Sequence, residues 1–196
     1  MALNESLPLF PLHAVLLPGA ALGLRVFERR YLDMVSDCGR NGHGFGICLI
    51  LEGEEAGVPA MPAAFGTEAL IEDFDTGEDG LLTLQIRGAR RFHVARTRVR
   101  DNGLAMADVT WCEADLDDAV RPEHALLSTL LQHLLEQVGG EHSKVSNARF
   151  DDAAWVGWRL AEFLPISESQ RLALLQEDDV HARLDQLLQL MPAADE

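Results

Sequence analysis

Three early prolines limit what this chain can fold into more than any other feature of it. Pro8, Pro11 and Pro18 each lack a backbone N–H, so residues 7–17 can be neither a helix nor the middle of a sheet. Yet Leu7, Leu9, Phe10, Leu12, Val15, Leu16 and Leu17 are too apolar to be left in water. The pattern predicts an edge strand, or a ribbon that closes a barrel, lying across a core. Pro18-Gly19 reads as a turn and residues 22–26 as the next strand. Tyr31, Met34, Val35 and Cys38 then recur at helical spacing, with Gly39 placed to end the helix.

From there to residue 115 the chain reads as sheet. Residues 45–51 form an apolar run of strand length, introduced by Gly42, Gly44 and Gly46. That glycine series precedes a strand, whereas a dinucleotide-binding loop follows one, so it reads as a flexible turn. Residues 53–65, broken by Pro59 and Pro62, read as a loop, and residues 66–74 as a strand. Turn chemistry at residues 76–80 leads to strict alternation, with Leu82, Leu84 and Ile86 on one face. Gly88 marks a break, and residues 92–99 and 104–111 complete the set. Short strands with turns about every ten residues predict a barrel or sandwich.

Beyond Val120 the period becomes helical. Pro122 stands at a favoured first position, and Leu126, Leu127, Leu130, Leu131, Leu134, Leu135 and Val138 give one apolar face that ends at Gly139-Gly140. Asp151 or Asp152 caps a helix carrying Trp155, Val156, Trp158, Leu160 and Phe163, stopped by Pro165. Ser167 with Gln170 resembles a capping box before residues 172–176. A last helix opens at Asp178 or Asp179, runs through Leu184, Leu187, Leu188 and Leu190, and is expected to end at Pro192.

The proline pattern, the helix entry and the later strands join into one resemblance. Pro8-Leu9-Phe10-Pro11-Leu12, Val15-Leu16, Pro18-Gly19, Phe27-Glu28, Arg30-Tyr31 and Met34-Val35 closely resemble the opening of the amino-terminal domain of Lon proteases. Gly66-Thr67, Ala69, Ile71, Asp79-Gly80, Gly88 and Arg91-Phe92 continue it. The helical series of Leu164-Pro165, Arg171-Leu172, Leu174-Leu175-Gln176, Arg183-Leu184 and Leu187-Leu188 extends the similarity over nearly the whole chain. The resemblance implies an α+β fold: a PUA-like β-barrel with one packed helix, residues 1–118, then an all-α helical bundle, residues 119–196. It also implies a non-catalytic domain that recognises protein substrates and binds unfolded or apolar segments.

Composition narrows the alternatives. Sixteen Lys and Arg stand against 32 Asp and Glu, a net charge of −16, which repels phosphate backbones and makes nucleic acid an unfavoured partner. Cys38, Cys48 and Cys112 are odd in number and widely spaced, as free thiols of a reducing compartment are. The start of the chain lacks a basic signal region, and no run reaches the ~18 apolar residues of a membrane helix. A cytoplasmic location is expected, with no membrane partner.

Catalytic constellations are missing. Lon proteases add ATPase and Ser–Lys proteolytic modules, and the expectation is that this chain carries neither. Its one lysine, Lys144 beside Ser143 and Ser146, has no glycine-rich phosphate loop and reads as a solvated loop residue. The seven histidines form no zinc pattern, and no G-x-S-x-G elbow is present. No cofactor and no metal are expected. A small hydrolase with an unrecognised site is the third reading. The second is an RNA-associated PUA-like protein using the hairpin of Arg87, Arg90, Arg91, Arg96, Arg98 and Arg100, against which stands pairing with acids such as Glu68, Glu72 and Asp73.

For peptide binding, the candidate residues are Val58, Met61 and Phe65 on the proline-broken loop, and Glu28 and Arg30 at the helix entry. Methionine and phenylalanine on a loop suit adaptable apolar contact. Glu28 has a structural reading as well, since a helix dipole stabilises a carboxylate near its start.

Overall fold

The computed structural model describes residues 5–191. They form two compact units that divide between Cys112 and Glu113, and each is described by itself.

The first unit is a closed sheet with one helix. Its elements are β1 (Glu5–Leu12), β2 (Ala21–Val26), α1 (Arg29–Asn41), β3 (Phe45–Glu52), β4 (Met61–Thr76), β5 (Leu82–Val99) and β6 (Ala105–Trp111). The strand order is β2-β5-β4-β3-β1-β6, and β6 also pairs with β5. β5, β4, β3, β1 and β6 therefore close a ring, while β2 adds to the first half of β5 and keeps one edge open.

The prolines explain the closure. Residues 5–8 of β1 pair antiparallel with β6, and residues 9–12 pair parallel with β3. Each half is bonded on one side only, so two residues without N–H groups are tolerated. Of the two forms expected, β1 is the barrel-closing ribbon, and it is flanked on both sides. Leu7, Leu9, Cys48, Phe92, Ala107 and Val109 fill the barrel core. Tyr31 of α1 stacks on Phe10, with ring centroids 4.1 Å apart, and Met34 and Cys38 are buried on the same helix stripe.

Four local expectations are corrected. α1 continues through Gly39 and ends at Gly42, whose φ of 67° makes a left-handed cap that donates to Cys38. The series Gly42, Gly44, Gly46 is accordingly a helix cap followed directly by a strand, not a flexible turn. Gly88 does not end the strand: β5 runs through it with a shift of register against β4 between Gly88 and Arg91, and glycine is needed because a Cβ there would lie 2.2 Å from the Leu17 carbonyl oxygen. Finally, β4 begins at Met61, so Met61 and Phe65 are strand residues and the connecting loop is confined to residues 53–60. Pairing with β3 through Pro62 and Met61 overrode the turn signal of Pro62.

The second unit is helical: α2 (Ala125–Val138), α3 (Ala153–Phe163), α4 (Glu168–Gln176) and α5 (Val180–Leu190), with one short 3-10 segment before α2 and two between α2 and α3. Leu127, Leu131, Leu135, Val156, Leu160, Leu174 and Leu184 form its core, whereas Leu126 and Val138 stay exposed, so the buried stripe of α2 is narrower than the leucine run. The caps are Asp152 to Trp155 N–H, Asp179 to Ala182 N–H, and a complete Ser167–Gln170 box. Pro192 lies outside the described residues.

This unit begins at Glu113 because Asp115 belongs to it. Arg183, fully buried, donates to Asp115 at 2.9 Å and to the Glu177 carbonyl at 2.7 Å, and lies 3.7 Å over the Trp158 ring. Trp158 Nε1 donates to the same carboxylate at 2.6 Å. Two further buried rings, His124 and His181, stack 5.7 Å apart, each beside an aspartate, Asp185 and Asp118.

Candidate substrate-binding groove

Of the grooves that border α1 in the barrel unit, two are largely apolar. The β2–β5–β4 extension is three strands wide; Leu24, Val26, Leu84 and Ile86 on it are buried, whereas Leu22, Leu82, Leu70 and Phe74 are only partly covered. On the β2 side is a groove of about 440 Å³, lined by Phe10, Leu12, Leu22, Leu24, Val26 and Tyr31, with Phe27, Glu28, Arg25, Glu55 and Ala56 around them. On the β4 side is one of about 730 Å³, lined by Leu32, Val35, Leu70, Ile71, Phe74 and Leu84 with Arg40, Glu72 and Asp73.

The floor of the β2 groove follows from strand alternation. Leu24 and Val26 are buried, Leu22 half-buried, and Ala21, Gly23 and Arg25 face solvent. Phe27 then leaves the strand and is 60% exposed at the groove edge. Glu28 is the residue that caps α1, yet its carboxylate makes no cap bond. It pairs instead with Arg30 Nε at 2.9 Å and accepts the Gly57 N–H at 3.3 Å. Glu55 accepts the His13 backbone N–H at 2.8 Å. These two bonds tie the 53–60 loop down beside the groove. Burial pushes the Tyr31 phenol above its ordinary range, Arg30 opposes that, and the carboxylates of Glu28 and Glu55 add to it.

The candidate residues therefore separate. Glu28 lines the groove. Arg30 is buried and is no rim contact: it holds Glu28, donates to the Gly103 carbonyl at 2.9 Å, and lies 4.7 Å over Tyr31. Val58 is 83% exposed, two residues beyond the groove-lining Ala56. Met61 is exposed at the root of β4 opposite Glu52, and Phe65 packs edge-on against His93. The groove residues not singled out from sequence are Phe10, Leu12, Leu22, Leu24, Val26 and Glu55. The alternation at 22–24–26 was visible, but only pairing shows that this strand ends a sheet.

Four arginines of the hairpin are ion-paired in place. Arg87 pairs with Glu72, Arg90 with Glu68, and Arg96 and Arg98 with Asp108. Arg90 also lies 3.7 Å over the Trp111 ring, and Arg91 is buried. Lys144 is exposed and paired with Glu141 at 3.0 Å, while Ser143 donates to Gly140, away from any dyad. Burial raises the Cys38 thiol to about 11 and Cys48 to about 12, which removes the thiolate that a cysteine nucleophile requires. Among the described residues no cluster of His, Cys, Asp or Glu fits a metal ion, and no helix is long and apolar enough to cross a membrane.

Residues 6–193 match the family described as the ATP-dependent protease La (LON) substrate-binding domain. The chain belongs to that family. Among solved structures this Lon-type domain is similar to a Lon N-terminal domain protein from Xanthomonas campestris: 62% identity, a TM-score of 0.83, with 96% of this chain and 99% of that one covered. The N-terminal domain of the Mycobacterium avium complex Lon protease shares the fold at 16% identity and a TM-score of 0.66, covering 94% of this chain and 97% of that one. No curated protein matches the chain. The α+β fold and the substrate-binding family implied by the sequence resemblance are thus both established.

Proposed function

We propose that this Lon-type domain binds unfolded, apolar segments of other proteins without cutting them, and that the β2 groove receives them. The observation that carries this is the pairing of an apolar floor, with Leu24 and Tyr31 at its base and Leu22 and Phe27 open to solvent, with the carboxylates of Glu28 and Glu55 beside it. An apolar segment with nearby lysine or arginine matches both. Exposed Val58 and Met61, with Phe65, give a longer segment further apolar contact. Such open contacts support affinities of about a micromolar or weaker. The absence of a nucleophile with a base among the described residues fits a binding role, and free thiols at Cys38, Cys48 and Cys112 fit a reducing, cytoplasmic setting.

The test is titration of a reduced, alkylated basic protein against wild type, Phe27→Ser plus Glu55→Lys, and Met61→Ser plus Phe65→Ser. The first variant is expected to bind about tenfold more weakly and the second less affected. Equal binding by all three overturns the groove assignment, and no binding by wild type overturns the peptide reading. ATP and casein turnover by pure protein, lost in Lys144→Ala, would overturn the non-catalytic part.

A further inference from the structure

Each of the two grooves lies along a free strand edge, and the two edges are treated differently. Beyond Ala69, which pairs with Phe45, β4 has no neighbour on its α1 side. There the N–H groups of Phe74 and Thr76 are occupied by the carboxylates of Asp73 and Asp75, both at 2.8 Å, and the pairing with β5 is irregular between Ile71 and Asp73. Charged side chains and register breaks are how sheets block pairing with other chains.

The β2 edge has no such guard. Gly88 N–H donates to the Ala20 carbonyl, and the register sets Ala21 opposite Arg87 and Leu22 opposite Ile86. Antiparallel geometry then turns the N–H and C=O of Leu22, Leu24 and Val26 towards β5, and those of Ala21, Gly23 and Arg25 outward. None of these outward groups has a partner among the described residues. Two groups on each of three residues give six free backbone sites, along the groove whose floor is Leu22, Leu24 and Val26.

Resting on the groove assignment above, we propose that β2 takes its substrate by strand addition: an extended segment pairs with the outward groups of Ala21, Gly23 and Arg25. Its side chains alternate, so every second one enters the groove between Leu22, Leu24 and Tyr31, and the others face solvent. Glu55 and the adjacent Glu54 select lysine or arginine at the ends of the segment. The substrate class is a basic-flanked, β-forming stretch of an unfolded protein, with apolar residues at alternate positions. An amphipathic helix is excluded, because its backbone groups are already bonded internally.

The experiment uses a capped octapeptide of lysine, alternating valine and threonine, then lysine. A second copy is N-methylated at alternate residues, on the donors that would reach β2. Against wild-type protein, N-methylation is expected to weaken binding by about tenfold or more, and the unmodified peptide is expected to slow amide exchange at Ala21, Gly23 and Arg25 selectively. Gly23→Pro, which removes one outward N–H and leaves the β5 ladder intact, weakens binding of the unmodified peptide. Equal binding of both peptides with no protection at these amides overturns strand addition. If Phe27→Ser plus Glu55→Lys still weakens the unmodified peptide, the groove reading survives that failure; if it does not, both fall.

Discussion

Replacing Arg30 with methionine isolates the residue that holds the groove rim in place. The methionine side chain keeps an apolar stem in the buried site but loses three polar contacts. The bond to the Gly103 carbonyl is charge-assisted, worth about 1.5–3 kcal/mol. The stacking over Tyr31 adds about 0.5–1 kcal/mol. The Glu28 pair adds at most about 1 kcal/mol, because the Glu28 side chain is still 21% exposed. These terms overlap, so the expected loss is about 3 kcal/mol, or roughly 12 °C in the melting temperature of a unit this size. Arg30→Lys restores little, since an ammonium cannot span Glu28 and Gly103 while stacking on Tyr31. Urea unfolding followed on amide resonances of the barrel unit measures the loss residue by residue. Freed from Arg30, Glu28 also releases Gly57, so the Gly57 amide exchanges faster. A variant within about 0.5 kcal/mol of wild type, with Gly57 exchange unchanged, would refute the assignment of Arg30 as the holder of the rim.

Three other outcomes are expected. The buried thiols make the barrel unit less stable in alkali: the folded Cys48 stays protonated to about 12, whereas an unfolded thiol ionises near 9.0. Its contribution is therefore complete below pH 9 and is lost as pH rises through that window, by up to about 1.4 kcal/mol per pH unit; Cys38 and Tyr31 act in the same direction. Urea midpoints at pH 8 and 10 for wild type and Cys48→Ala check this, the variant falling less steeply. Arg183→Ala leaves Asp115 without its buried cation and is expected to cost the helical unit about 3–5 kcal/mol, while Arg183→Met with Asp115→Leu recovers much of it; a double-mutant cycle with no coupling would refute the network. Single-stranded RNA is expected to bind weakly and to dissociate by about 0.2 M salt, and a complex that survives there but is lost in Arg96→Glu plus Arg98→Glu would revive the hairpin as an RNA site.

Much of this molecule was legible in its sequence, wherever the determinant is local. The helix caps at Asp152, Ser167 and Asp179 need only neighbours three residues away, and the alternation of β5 and the leucine run of α2 are periodicities of one element. Prolines excluded a helix over residues 7–17 and pointed to a closing ribbon, because a missing N–H is a property of the residue itself. Tertiary structure alone decided what depends on partners far along the chain. Gly88 reads as a break until the Leu17 carbonyl, from far earlier in the chain, is found pressed against it. Met61 and Phe65 read as loop until β3 and β5 claim them. Six arginines read as a basic patch until four of them are found paired with Glu68, Glu72 and Asp108. The groove itself exists because β2 pairs on one side only and α1 covers part of what lies inside it. Which edge stays open is a consequence of sheet closure, and no window of sequence contains that.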